Sequence, residues 1–474
     1  MNQPNKSIRK STGHRMRILI TFLTLLTLVL GSVGCSKETP RETVEKAFKK
    51  TFTAGNPLEA LLGTEELSNA VNEKTAYSSG LSLSLQELKG SGMDAYAGFL
   101  TGLGFRLDTA SDLTNKKSAG TLGITYGNTD YLTLGGQLNG SKLYLTVPKL
   151  LNGSVSVDFA TLEDDLASDS FLAQLLASQG LTLPEGFSSN ITEKLFSPVV
   201  PEIPEYLTNA CDELHEQITV DKLKKEDVSL PDSVAYKNVY QVTVPQDAYA
   251  GVLDAAGRYM QEYMSSMIES MEGIASTEDY DTEDMKEKLD ALADTLGDLD
   301  LTVAVTKDGY ISYIAYEVQT GADTLIFAVE FYGESAPLEA LEATLELVSE
   351  NGSISFEYQQ EYDTLNHELT FSSAMTYDDQ TLSFSGEGEF TGVEKGKKYT
   401  FDINYLEIKL ADLFSVSLAG SYYLDTSSCE ISVPSGTEYA LFDMTQDDFT
   451  ALAGEIFTNL QNDPVLSGLF GMFE

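Results

Sequence analysis

Tryptophan is missing altogether, cysteine and histidine occur three times each, and 30 basic residues face 73 acidic ones. Each shortage removes a class of function. A chain of formal charge −43 is repelled by phosphate backbones, which excludes RNA and DNA as partners. Three cysteines cannot make a disulfide framework. Nucleophilic hydrolysis needs a base beside Ser or Cys. Beyond the first 34 residues only His215 and His367 remain, and no G-x-S-x-G pattern occurs. The absence of tryptophan removes one ring on which sugars stack, although the 24 tyrosines offer a substitute. Long apolar runs are also scarce, and the single candidate lies at the start.

That run has three parts. Lys6, Arg9, Lys10, Arg15 and Arg17 precede an apolar stretch from Ile18 to Leu30, and the small residues Gly31, Ser32 and Gly34 lead to Cys35. This is the order of a signal peptide, and the apolar part is shorter than the roughly 20 residues that cross a bilayer as a helix. The small residues ending in Cys35 resemble the lipobox of bacterial lipoproteins, with Ser32 where that family prefers leucine. The resemblance implies cleavage before Cys35, diacylglycerol on its thiol, and residence on the outer face of the plasma membrane. Residues 1–34 are then the signal and residues 35–40 the lipidated cysteine and tether. Removing the signal takes away five basic residues and no acid, leaving −48 over 440 residues.

The body reads as α+β. Thr39, Pro40 and Glu42 form the start signal of a helix whose apolar stripe is Val44, Ala47, Phe48 and Phe52. Strand rhythm occupies 77–147, with Gly-Asn and Asn-Gly turns, and helical patterns follow at about 160–178 and 204–217. After the strand "KNVYQVTVP" a long helix begins near Gln246, with Tyr249, Val252, Leu253, Ala256, Met260, Tyr263, Met264, Met267 and Met271 on one face. From Leu299 to Val433 the chain reads as a meander of ten strands, including "CEISV", which points Cys429 into a core. "KYTFDINYLEIKL" changes parity between Tyr405 and Leu406, the mark of a β-bulge. The closing helix "TQDDFTALAGEIFTNL" has Phe449, Leu452, Ile456 and Phe457 on its inner face.

The expected architecture is therefore a large curved antiparallel sheet, or two, of meander topology packed on amphipathic helices. In outline it resembles the half-barrel lipoproteins of the LolA, LolB and LppX type, which hold acyl chains between a curved sheet and a helical plug. The length of the chain suggests a duplicated half-barrel, cut into domains 41–230 and 231–474.

Candidate sites are few. Cys211 and His215 stand four apart on a helix, with no further ligands to make a metal or catalytic pair, so they read as structural. "DYDTED" (279–284) lacks the sixth-position glycine of a calcium loop and puts Asp290 where glutamate is required. No catalytic residue, metal or cofactor is expected. The ligand-pocket candidates are Tyr249, Leu253, Met260, Tyr263, Met264, Met267 and Met271, because methionines make a deformable apolar wall. The expected protein is non-enzymatic, membrane-anchored at Cys35, and binds a lipid or other hydrophobic molecule. The alternative is a structural or interaction module of the envelope with a filled core.

Overall fold

The computed structural model describes residues 39–463, apart from 73–75, 91–96, 99, 128, 181–202, 272–290, 292, 295, 321–322, 334–335, 350–351, 379 and 412. The elements run α1 (Pro40–Phe52), α2 (Pro57–Leu62), α3 (Thr64–Asn72), β1 (Tyr77–Gly90), β2 (Leu103–Asp112), β3 (Lys117–Tyr126), β4 (Thr129–Asn139), β5 (Lys142–Thr146) and β6 (Gly153–Asp158). Then come α4 (Leu162–Leu166), α5 (Phe171–Ser178), α6 (Glu205–Gln217), β7 (Thr219–Leu223), β8 (Asn238–Val244), α7 (Gln246–Met271), β9 (Leu299–Val305), β10 (Ile311–Thr320) and β11 (Asp323–Phe331). Last are β12 (Ala340–Ser349), β13 (Gly352–Asp363), β14 (Glu368–Tyr377), β15 (Gln380–Glu394), β16 (Lys398–Leu410), β17 (Phe414–Asp425), β18 (Thr437–Ala440) and α8 (Gln446–Asn462). The fold is α+β, with a large curved sheet whose strands number 18 among the described residues; it is built of antiparallel pairs, and β18 runs parallel to β6.

Two compact units divide the chain. The first comprises Met1–Ala60, Pro201–Leu365 and Thr370–Leu382. In it β7 to β13 pair in sequence order as an antiparallel meander, with α7 between β8 and β9. Register sets Val242 opposite Leu301 and Val244 opposite Leu299, so these side chains share a face. Val44, Ala47 and Phe48 of α1, Leu214 of α6, and Tyr249, Val252 and Leu253 of α7 close over that face as one buried cluster. The start of α1 follows its sequence signal. Thr39 Oγ1 accepts from Glu42 N at 3.2 Å, while Glu42 Oε2 accepts from Thr39 N at 2.8 Å.

The second unit comprises Leu61–Val200, Asn366–Leu369 and Ser383–Glu474. Its strands are neighbours in the order β16, β17, β1, β2, β3, β4, β5, β6, β18. The strand that opens the sequence thus pairs with one near its end, Leu81 opposite Tyr422. For that reason the units interleave along the chain, where the sequence reading divided it at 230/231. Helix α8, begun by a Thr445–Asp448 capping box, packs Phe449, Leu452 and Ile456 on Leu151, Val155, Tyr439 and Met444.

Three other expectations change. Nine strands, β9 to β17, occupy the stretch from Leu299 to Asp425, and "CEISV" is not one of them. Cys429 is half-buried there, its thiol donating to Ser111 O at 3.5 Å, because Ser427 and Ser428 wrap the Asp425 carboxylate in a turn that stops β17. Phe457 is 58% exposed, since the inner stripe of α8 is complete with Phe449, Leu452 and Ile456. The expected bulge in β16 is present: Ile403 faces Gly420 and Leu406 faces Leu418, with the shift between them.

Candidate ligand-binding face

Three of the candidate pocket residues on α7, Tyr249, Leu253 and Met260, have described side chains. Tyr249 and Leu253 are buried in the first unit's core. The Tyr249 hydroxyl donates to Ala293 O at 3.0 Å and to Gly297 O at 2.8 Å. Met260 is 53% exposed, because the turn that carries it lies beyond the buried Ala248–Leu253 stretch and makes polar contacts such as Arg258–Glu262 at 2.9 Å. The backbone at 263, 264, 267 and 271 is helical, whereas the side chains of Tyr263, Met264, Met267 and Met271 lie outside the described residues, as do Cys35 and "DYDTED". Cys211 and His215 are structural in their contacts. The Cys211 thiol is free and burial pushes its pKa up, while His215 Nε2 meets the Glu45 carboxylate at 3.1 Å. Among the described residues no cluster of three metal-ligating side chains occurs.

An apolar surface is instead found on the second unit's sheet. Antiparallel register places directly opposed side chains on the same face. One row across the strands reads Phe401, Tyr422, Leu81, Leu107, Leu122, Leu134. The next reads Ile403, Gly420, Leu83, Phe105, Ile124, Leu132. Leu103 and Tyr126 pair beyond them. In β2, β3 and β4 these side chains point to solvent: Leu107, Leu122, Leu134, Phe105, Ile124, Leu103 and Tyr126 are each between 39 and 48% exposed. Scattered exposed leucines are ordinary, whereas a contiguous apolar patch in register over several strands is the feature that makes this face the candidate site.

Beside the leucine row runs a row of small residues. It crosses Tyr399, Leu424, Ser79, Thr109, Gly120, Gly136, Leu145, Val155 and Tyr439. At the centre of this row Ser79, Thr109, Gly120 and Gly136 carry smaller side chains than Leu81, Leu107, Leu122 and Leu134 beside them, a step in side-chain size that makes an open trench along one side of the leucine row. Both ends are roofed by helix. At one end α3 sits over Tyr399 and Leu424 and leaves a cleft of about 280 Å³, lined by Thr64, Leu67, Ser68 and Val71. The Leu62 carbonyl accepts from Gly396 N at 2.7 Å, which pins the start of α3 to the β15–β16 turn. At the other end α8 covers Val155 and Tyr439.

No family model and no curated protein matches the chain. Among solved structures, OccK9 (OpdG) of Pseudomonas aeruginosa matches at 10% identity over 77% of this chain and 99% of its own, with a TM-score of 0.12. A mutant of the vaccine antigen transferrin binding protein B from Haemophilus parasuis matches at 7% identity, and intact Ap-TbpB, with N and C lobes, at 8%. Each of these two covers 74% of this chain and 76% of its own, with a TM-score of 0.11. Scores this low carry no argument about fold or role.

The titratable group at the roofed end of the trench, Tyr399, is pushed up to about 12 by burial and then by Tyr422, so it stays a neutral hydroxyl through the physiological range. Alternation in "LSLSL" and "TLGITY" signals one apolar side per strand, which sequence reasoning recovered. That no described helix covers this side over β2 to β4 depends on where α3 and α8 dock, and no local pattern encodes it.

Proposed function

We propose that the chain is an exported envelope lipoprotein, anchored through Cys35 on the outer face of the plasma membrane, that binds a long-chain acyl ligand non-enzymatically. The ligand lies in the trench of the second unit, its end in the cleft beneath α3. The reading rests on the in-register apolar face, whose exposed leucines and phenylalanine would be a solubility defect if nothing occupied them. Each methylene taken from water onto such a face contributes about 0.8 kcal/mol, so a chain of a dozen carbons gains enough to bind even from an open trench. The small residues at 79, 109, 120 and 136 supply the room, and the roofed cleft supplies an end-stop. The signal-peptide order before Cys35 supports the location.

A fluorescent long-chain fatty acid titrated into the purified chain tests the reading. Binding in the micromolar range is expected, and Leu122→Asp should weaken it at least about tenfold, a factor worth about 1.4 kcal/mol. Leu122 is 48% exposed, so the substitution leaves the fold intact, which circular dichroism checks. A protein that takes up no fatty acid, and that carries no lipid in native mass spectra after purification from membranes, overturns acyl binding. The same face would then serve the alternative role, a surface for a protein partner in the envelope.

A further inference from the structure

We infer that the opposite, polar face of the second unit's sheet carries a separate site for a neutral saccharide. A groove of about 460 Å³ opens there, within the size range of small-ligand sites, lined by Ser78, Asp108, Thr121, Tyr423 and Glu430 among others. Its floor is set by register: Tyr423, Gly80, Asp108 and Thr121 form one row across four strands, and Ser78, Ala110 and Ala119 form the next. Gly80 is required by this arrangement. A Cβ at that position would collide with Tyr423 Cε1 and fall 2.6 Å from Asp108 Oδ1. With no side chain in the way, the tyrosine ring crosses β1 over the glycine and its hydroxyl donates to Asp108 Oδ1 at 3.2 Å. Asp108 is held in turn by Arg106, Nε to Oδ2 at 2.6 Å. The ring is thus fixed at both ends and borders a groove, the position in which an aromatic ring receives the C–H face of a pyranose.

The polar groups around the ring suit hydroxyls. Among the described residues, Ser78, Thr121 and Glu430 make no side-chain hydrogen bond, so two hydroxyls and a carboxylate are open to a ligand. Directly across from Ala119, Gln137 is only 8% exposed, and its Nε2 has no partner among the described residues. Charge narrows the class. Arg106 neutralises Asp108, while Glu430 and the net charge of the chain disfavour anions, so uronic and sialic acids are excluded and neutral sugars fit.

Maltotetraose, cellotetraose and an N-acetylglucosamine tetramer, each titrated into the full purified chain by isothermal calorimetry, test the site. At least one should bind. Tyr423→Phe keeps the ring and should bind within about twofold, whereas Tyr423→Ala should lose about tenfold, equal to about 1.4 kcal/mol. Glu430→Gln alters an exposed side chain without risk to folding, and should weaken binding several-fold; it guards against misfolding of Tyr423→Ala. Binding by none of the three sugars overturns the site, and so does binding that neither Tyr423→Ala nor Glu430→Gln weakens. Leu122→Asp should leave saccharide binding unchanged, so this site and the acyl trench stand or fall separately.

Discussion

Two buried tyrosine hydroxyls in the first unit, Tyr249 to Ala293 O and Gly297 O and Tyr316 to Leu296 O at 3.1 Å, tie a helix end to the sheet core. Burial pushes Tyr316 up to about 12 and raises Tyr249 as well. The unfolded chain titrates its tyrosines near 10. Stability from these groups is therefore complete below about pH 10 and is lost as the pH climbs through 12, because the unfolded state releases its protons first. Urea unfolding followed by circular dichroism between pH 9 and 12 should show a falling midpoint, with a shallower fall in Tyr316→Phe. An identical slope in that variant would refute the assignment. At the same scale, the four-residue spacing of Cys211 and His215 was legible, but the true partner of His215 was not. Glu45 stands 170 residues away, and with Arg41 capping the carbonyls of His215 and Ile218 it makes an ion cluster that joins α1 to the end of α6.

Among the elements, the pairing of β1 with β17 builds the face on which the trench lies. It is tightest where Gly420 crosses β1: a Cβ there would overlap the Ser82 carbonyl oxygen and come within 3.0 Å of Leu83 Cα. Backbone cannot rotate away as a side chain can, so Gly420→Val should destabilise the second unit by about 1–3 kcal/mol, the range of overpacked cores. Urea midpoints measure this, and a variant as stable as the parent would mean that the two strands are not paired. Local patterns gave away most of the elements: the Thr39 capping box, the Asn139-Gly140 turn and the bulge in β16 each need only a few neighbouring residues. The β1–β17 pairing needs contacts such as Ser84 Oγ to Ala419 O, 335 residues apart, and alternation in "LSLSL" is satisfied by any apolar-faced neighbour. The same reason hid the exposure of the apolar face: period-two patterning names the apolar side of β2, β3 and β4 without naming what covers it.

On the scale of the whole molecule, the relevant forces are charge and anchor. Among the described residues no helix is long and apolar enough to cross a membrane. A chain of formal charge −43, or −48 if the proposed cleavage before Cys35 occurs, is repelled by anionic headgroups within the roughly 10 Å Debye length of 0.1 M salt. One acyl chain gives marginal attachment and two give stable attachment, at about 0.8 kcal/mol per buried methylene, so a diacylated Cys35 can outweigh that repulsion where surface contact cannot. Cys35→Ser should therefore move the protein from the membrane fraction to the soluble one and abolish its labelling by a palmitate analogue. Raising the salt should not restore the variant to the membrane, because screening removes repulsion without adding attraction. Were the variant to stay membrane-bound in low salt, the apolar face of β2 to β4 would have to be holding it against its own charge, and that face would be a membrane contact in place of a ligand trench.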